Sequence, residues 1–277
     1  STVTTRNLDE LRELIEHLLT QWKLHSDSGT YRQPAARRGR SFTGPDVARV
    51  AIVDGFARHI HKTAAAVVTL IDGGHVTAAA PLVRQMYECA LSAVWLIQST
   101  DDHGVKALLA EHTRNRRALQ GDILQARSAV FREGAEDLPD TDPTPFIGSL
   151  DSVRSFKGIC LDLEPGGVDA YVYYRLLSTY SHASLGVTDL YFAPSAEGTY
   201  APHRRPDPRT PISPDMMLFF AAISMVWGGR AYTYASHDKA HRSILRDAAR
   251  YLGINAEIGL SETYRKRHST RRQQPTA

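Results

Sequence analysis

Between Thr43 and Arg132 apolar residues recur at helical spacing almost without pause, and only Asp72-Gly73-Gly74-His75 and the stretch from Ser99 to Asp102 interrupt them. Long helices joined by links this short turn back on one another as antiparallel neighbours. Strand-like alternation is scarce along the rest of the chain, so a sheet has little to be built from. The expected fold is therefore all-α: an antiparallel helical bundle of long helices, with an N-terminal helical arm and further C-terminal helices. A hydrophobic content of 42% supplies the apolar surface that such a core needs.

The first helix is expected from about Leu8 to Leu24, where Leu11, Leu14, Ile15 and Leu18 are helically spaced. Ser26 to Ser41 is polar and arginine-rich (Arg32, Arg37, Arg38, Arg40) and reads as an exposed connector. Thr43 before Gly44-Pro45-Asp46 marks a helix start, with proline early and an acid in the first turn, and that helix runs to about Ile71. A second long helix follows from about Val76 to Ser99, and a third, capped by Asp101 or Asp102, reaches about Arg132. Glu133 to Pro145 is an acidic, proline-bearing loop. One helix is expected from Phe146 to Leu161, and another after Glu164-Pro165-Gly166-Gly167. The prolines between Ala193 and Pro214 predict an irregular excursion with a short extended piece near Thr199 to Ala201. Helices from Asp215 to Tyr234 and from His237 to Leu252 close the bundle. The chain thus divides into an N-terminal helix and basic connector (residues 1–42), a helical bundle domain (43–254) and a basic flexible tail (255–277).

Several function classes are disfavoured. No window approaches the roughly eighteen uninterrupted apolar residues of a membrane span, and no basic-then-apolar leader opens the sequence, so a cytoplasmic location without membrane contact is expected. Cys89 and Cys160 have neither the number nor the spacing of a zinc site or disulfide framework. A formal charge of +3 does not by itself announce a nucleic-acid binder. Neither a glycine-rich phosphate loop nor a Gly-x-Ser-x-Gly elbow is present. His237-Asp238-Lys239-Ala240-His241 places two imidazoles one turn apart, but its acid is Asp where a metalloprotease keeps Glu. With Ser236 positioned as an N-cap, the segment reads as an ordinary helix start, and neither metal nor cofactor is expected.

The most informative polar residues lie in the run Tyr173-Tyr174-Arg175-Leu176-Leu177-Ser178-Thr179-Tyr180-Ser181-His182. On one helix, Arg175, Ser178 and His182 share a face about 10 Å from end to end. Val168, Tyr171 and Leu185 extend that stripe, so the expected face is apolar and buried, and an unpaired cation there costs several kcal/mol. Arg84 and Glu88, one turn apart near Leu91 and Trp95, are either a structural ion pair or support for this site. Tyr171, Tyr173, Tyr174 and Tyr180 suit base stacking or a core. Arg114, Arg116, Arg117 and His203-Arg204-Arg205 suit RNA phosphates or a solvated surface.

The Arg175-x6-His182 pattern late in a long helix of a bundle resembles the HEPN superfamily, many of whose members are metal-independent ribonucleases, toxins or defence effectors. Ala80 to Glu88, with Arg84-x3-Glu88, followed by Tyr174-Arg175 through Ser181-His182, also resembles a bacterial helical family of unknown function. Together these likenesses cover about residues 45–190. The resemblance implies an endoribonuclease in which His182 is general base or acid, Arg175 holds the scissile phosphate, and Ser178 bonds a phosphate oxygen or orients the imidazole. Arg84, Glu88 and Tyr174 would support the site or bind ligand. The resemblance further implies a homodimer, RNA or a nucleotide as ligand, and an antitoxin-like partner protein. Two other readings stay open, a non-catalytic helical module binding a nucleotide, small anion or partner protein, and an enzyme of specialised metabolism. Leu176, apolar where the nucleases keep a polar residue, favours these.

Overall fold

The computed structural model describes residues 7–26, 43–99, 102–133, 149–193 and 203–269, and within them the fold is all-α apart from two short strand pairs. Helix α1 (Leu8–Ser26) begins where Asn7 and Glu10 exchange side-chain-to-backbone hydrogen bonds of 2.8 and 3.2 Å. It turns Leu11, Ile15, Leu18 and Trp22 inward. Helix α2 (Gly44–Asp72) starts at the expected boundary, where the Thr43 side chain forms a capping box with Asp46. A 3-10 turn (Thr77–Ala79) leads into α3 (Ala80–Gln98), which packs along α2. Next come α4 (His103–Leu124) and α5 (Ala129–Glu133).

The helix expected from Phe146 to Leu161 is instead two short ones, α6 (Ser149–Arg154) and α7 (Phe156–Leu161), broken at Ser155. Gly158 explains how tightly they meet, since a Cβ there would lie 2.7 Å from the Cα of Ser152. Strand β1 (Leu163–Glu164) follows, then α8 (Gly167–Thr179), α9 (Leu185–Thr188), β2 (Phe192–Ala193) and β3 (His203–Arg204), the last two paired with each other.

Helix α10 (Pro214–Ser236), capped by Ser213, is buried on every side and packs against α1, α2, α3 and the following α11 (Lys239–Leu252). A helix apolar all round must be enclosed, and the bundle forms around it. The adjacent pair Gly228 and Gly229 sets its closest approaches: a Cβ on Gly228 would run into Ile60 of α2, and one on Gly229 would press on Leu245 of α11 at 3.0 Å. Asp238, rather than Ser236, caps α11 by accepting from the N–H of His241 at 3.0 Å.

Two expectations about the chain ends are corrected. Leu11, Ile15 and Leu18 of α1 belong to the same core as α2, α3 and α10, so α1 is part of the bundle rather than an arm. Residues 255–269, expected as flexible tail, return to the core: β4 (Gly259–Leu260) pairs with β1, and Tyr264 of α12 (Glu262–Ser269) is fully buried. The basic connector 27–42, most of the acidic loop (134–148), the expected extended piece at Thr199 to Ala201 and the end of the tail (270–277) lie outside the described residues. No described helix is long and apolar enough to cross a membrane.

Asp162, at the exit of α7, ties the C-terminal return to the rest. Its buried carboxylate accepts from Trp95 Nε1 of α3 (3.0 Å), Ser152 Oγ of α6 (2.8 Å) and Arg267 Nη2 of α12 (2.8 Å). Removing the carboxylate strands the Trp95 and Ser152 donors and leaves Arg267 Nη2 only the Ser152 hydroxyl, at 3.2 Å. Because Arg267 is one-third exposed, we expect Asp162→Ala to cost about 3 kcal/mol, the low end for a broken buried pair, read from the denaturant midpoint.

A second polar cluster sits between α1, α2, α10 and α11. The Trp22 ring stacks on His61 at 4.1 Å, His25 stacks on His241 at 5.0 Å, and His25 Nδ1 meets Asp238 at 2.7 Å. Burial pushes His61 down to about 3 and His241 down to about 4, from an ordinary 6.5. The folded chain therefore refuses protons that the unfolded chain accepts below about pH 6.5. Stability should fall steadily from pH 7 to pH 5, seen as a dropping melting temperature by circular dichroism, and a flat profile would contradict the buried neutral rings.

Candidate functional site

Helix α8 turns only a narrow face inward. Ala170 and Leu177 are buried and Tyr171, Tyr174 and Ser178 are half-buried, while Val168, Val172 and Leu176 are exposed. The stripe expected to be a buried apolar face is thus on the surface, with Leu185 81% exposed beyond it. Arg175 points outward on this face. The helix also stops at Thr179, so His182 lies past its end rather than on the same helical face as Arg175. Ser178 spends its hydroxyl on the Tyr174 carbonyl at 2.8 Å, the usual back-bond of a helical serine. Arg175, Ser178 and His182 are therefore not brought together as a helical trio.

His182 meets Arg84 instead. Arg84 Nη1 donates to His182 Nε2 at 2.7 Å, joining α3 to the segment after α8. A guanidinium has no lone pair to offer, so in this contact Nε2 is the acceptor. Arg84 is held from its other side: Nη2 donates to Tyr174 Oη at 2.9 Å and to Glu88 Oε1 at 3.3 Å. Its planar carbon also lies 5.0 Å from the Tyr174 ring centroid, a cation–π contact. Tyr174 is braced by Phe156 of α7, ring to ring at 4.7 Å. Thus Arg84, Glu88, Tyr174 and His182 converge on one rim, and Arg175 and Ser178 do not join them.

Glu88 and Tyr174 also line a cleft of about 680 Å³ between α2, α3, α4, α6, α7 and α8. Its apolar walls are Ile52, Phe56, Leu108, Phe156 and Ile159, and its polar lining adds Ser92, Glu111, His112, Asn115 and Arg154. The Arg114 side chain hydrogen-bonds the Glu111 carboxylate at 2.9 Å and holds it below the usual carboxylate range, with the positive fields of Arg114 and Arg154 acting in the same direction. The sequence reading missed Ser92, Glu111, His112 and Arg154. A signal for Ser92 was there, since Arg84, Glu88 and Ser92 repeat every fourth residue along α3. The acids of α4 gave no such signal, because the partners of that helix are distant in sequence.

Of the basic residues considered for RNA, Arg114 is committed to Glu111 and Arg205 to the Phe192 carbonyl. Tyr171 and Tyr174 stack on one another at 5.9 Å, and Tyr173 packs edge-on against Phe220. Among the described residues no group of three or more His, Cys, Asp or Glu side chains is placed to hold a metal ion.

Residues 50–139 match DUF5677, a family of unknown function. The matched stretch contains Arg84, Glu88, Ser92 and the α4 wall of the cleft, but stops short of Tyr174, Arg175 and His182. No curated protein and no solved structure matches the chain.

Tyr174→Phe removes the 2.9 Å hydrogen bond while leaving the ring beneath Arg84. We expect a loss of about 1 kcal/mol in unfolding free energy, measured by chemical denaturation, whereas a neutral result would mean water replaces the phenol at Arg84.

Proposed function

We propose that the chain is a metal-independent ribonuclease whose working pair is Arg84 and His182. The observation that carries this reading is the 2.7 Å contact that sets a guanidinium against an imidazole, with Arg84 bonded to Glu88 and Tyr174 of the cleft lining. Arg84 would take the scissile phosphate, its planar fork stabilising charge that builds on the phosphoryl oxygens. When phosphate displaces His182 from Arg84, the freed Nε2 lone pair removes the proton from the ribose 2′-hydroxyl. The 2′-oxygen then bonds to phosphorus, the bond to the 5′-oxygen breaks, and the leaving oxygen takes a proton from solvent at the open rim. A 2′,3′-cyclic phosphate and a free 5′-hydroxyl result. The likeness of this chemistry to that of HEPN ribonucleases supports the reading, with Arg84 in the part that the sequence pattern assigns to Arg175.

A second reading rests on the same Arg84. Both its Nη atoms are engaged within the protein, which suits an anchor for a bound anion as well as a catalytic group. In that case the chain is a non-catalytic module for a nucleotide or small anion.

Incubation with total RNA in excess chelator tests the two. Chelator-resistant cleavage should fall by roughly 10²-fold or more in Arg84→Ala and His182→Ala. Arg175→Ala should retain activity within about tenfold, its charge acting only through long-range attraction of RNA. Equal loss in Arg175→Ala would return the role to that residue, and intact RNA with wild-type protein would leave the binding module.

A further inference from the structure

Helix α3 is buried along most of its length, yet one row of it is polar. Arg84, Glu88 and Ser92 stand at successive fourth positions, about 6 Å apart along the axis, so they form a ridge on one face. Glu88 and Ser92 line the cleft itself, and Arg84 adjoins it through its bonds to Glu88 and Tyr174. Glu88 gives Arg84 only Oε1; among the described residues its Oε2 has no hydrogen-bond partner, and neither has the Ser92 hydroxyl. Across the cleft, the other carboxylate, Glu111, is already taken by Arg114. The walls that face the ridge carry apolar rings, Phe56 and Phe156, beside the polar Glu111, His112, Asn115 and Arg154. A small molecule entering here meets a cation, then an acceptor, then a hydroxyl, in a fixed order along one helix.

We infer that the cleft holds a nucleobase and selects guanine, a deepening of the proposed function that rests on the Arg84 rim holding phosphate. A carboxylate accepts and does not donate, so it selects a base edge that presents N–H groups. Guanine alone of the four RNA bases offers two adjacent donor groups, N1–H and the N2 amino group, for one carboxylate. Its neighbouring O6 is an acceptor that the Ser92 hydroxyl, one turn deeper than Glu88, can satisfy. Adenine and cytosine offer a single amino group beside an acceptor nitrogen. Uracil sets its one N–H between two carbonyls, which would face the carboxylate of Glu88 with like charge. The apolar walls bury the faces of the ring, where base and aromatic surfaces gain most.

Isothermal titration of the full chain with the four nucleoside 3′-monophosphates and with inorganic phosphate tests this. Guanosine 3′-monophosphate should bind roughly tenfold or more tightly than the uridine nucleotide, the discrimination expected of a bidentate base contact. Glu88→Gln should bring the four nucleotides to within about threefold of one another. Because that change also touches Arg84, Ser92→Leu serves as the second variant: it fills the inner cleft and should bring the guanosine nucleotide down to the affinity of inorganic phosphate. Equal binding of all four nucleotides by wild-type protein, or a guanine preference that survives either substitution, overturns the base pocket while the phosphate rim stands. If neither phosphate nor any nucleotide binds, the rim itself fails and the base pocket falls with it.

Discussion

Everything in this molecule is arranged around one helix that cannot face water. α10 is buried along most of its length among α1, α2, α3 and α11, and glycine at positions 228 and 229 leaves room for Ile60 of α2 and Leu245 of α11. Because α2 and α3 are pressed against α10 by one face, each retains another face for a different use. On α3 that other face is the ridge of Arg84, Glu88 and Ser92. The cleft therefore exists as a by-product of core packing: four helices satisfy α10, α7 and α8 cover the far side of α3 incompletely, and α6 packs against α4 and α7.

The α1, α2, α3, α10 and α11 helices were legible in the sequence because local physics writes them there. Thr43 with Asp46 makes a cap that works over four residues, and Leu11, Ile15 and Leu18 show the helical repeat within a single window. The break at Ser155 was not legible. It depends on Gly158 meeting the backbone of Ser152, a contact that hydrophobic spacing does not encode. The C-terminal return was hidden for a similar reason. Residues 262–269 are mostly polar, and what draws them inward is one carboxylate at position 162 and one tyrosine ring at 264.

At the candidate site, four of the residues singled out in the sequence lie together, but not in the arrangement the sequence suggested. Arg84, Glu88, Tyr174 and His182 were all singled out, and they meet. What misled was the assumption that the helix bearing Arg175 continues through His182. Its last turn ends at Thr179, where Ser178 and Ser181 return their hydroxyls to the backbone, and the chain then bends. That bend moves the imidazole away from its own helix and onto another, so a pattern in sequence became a contact between different elements.

The clasp at Asp162 also couples distant parts of the chain. Arg267 belongs to the last described helix, and Ser152 and Trp95 to elements that line or back the cleft. Whatever loosens that helix therefore also loosens the backing of the cleft, so the shape of the cavity depends on residues far along the chain from its walls.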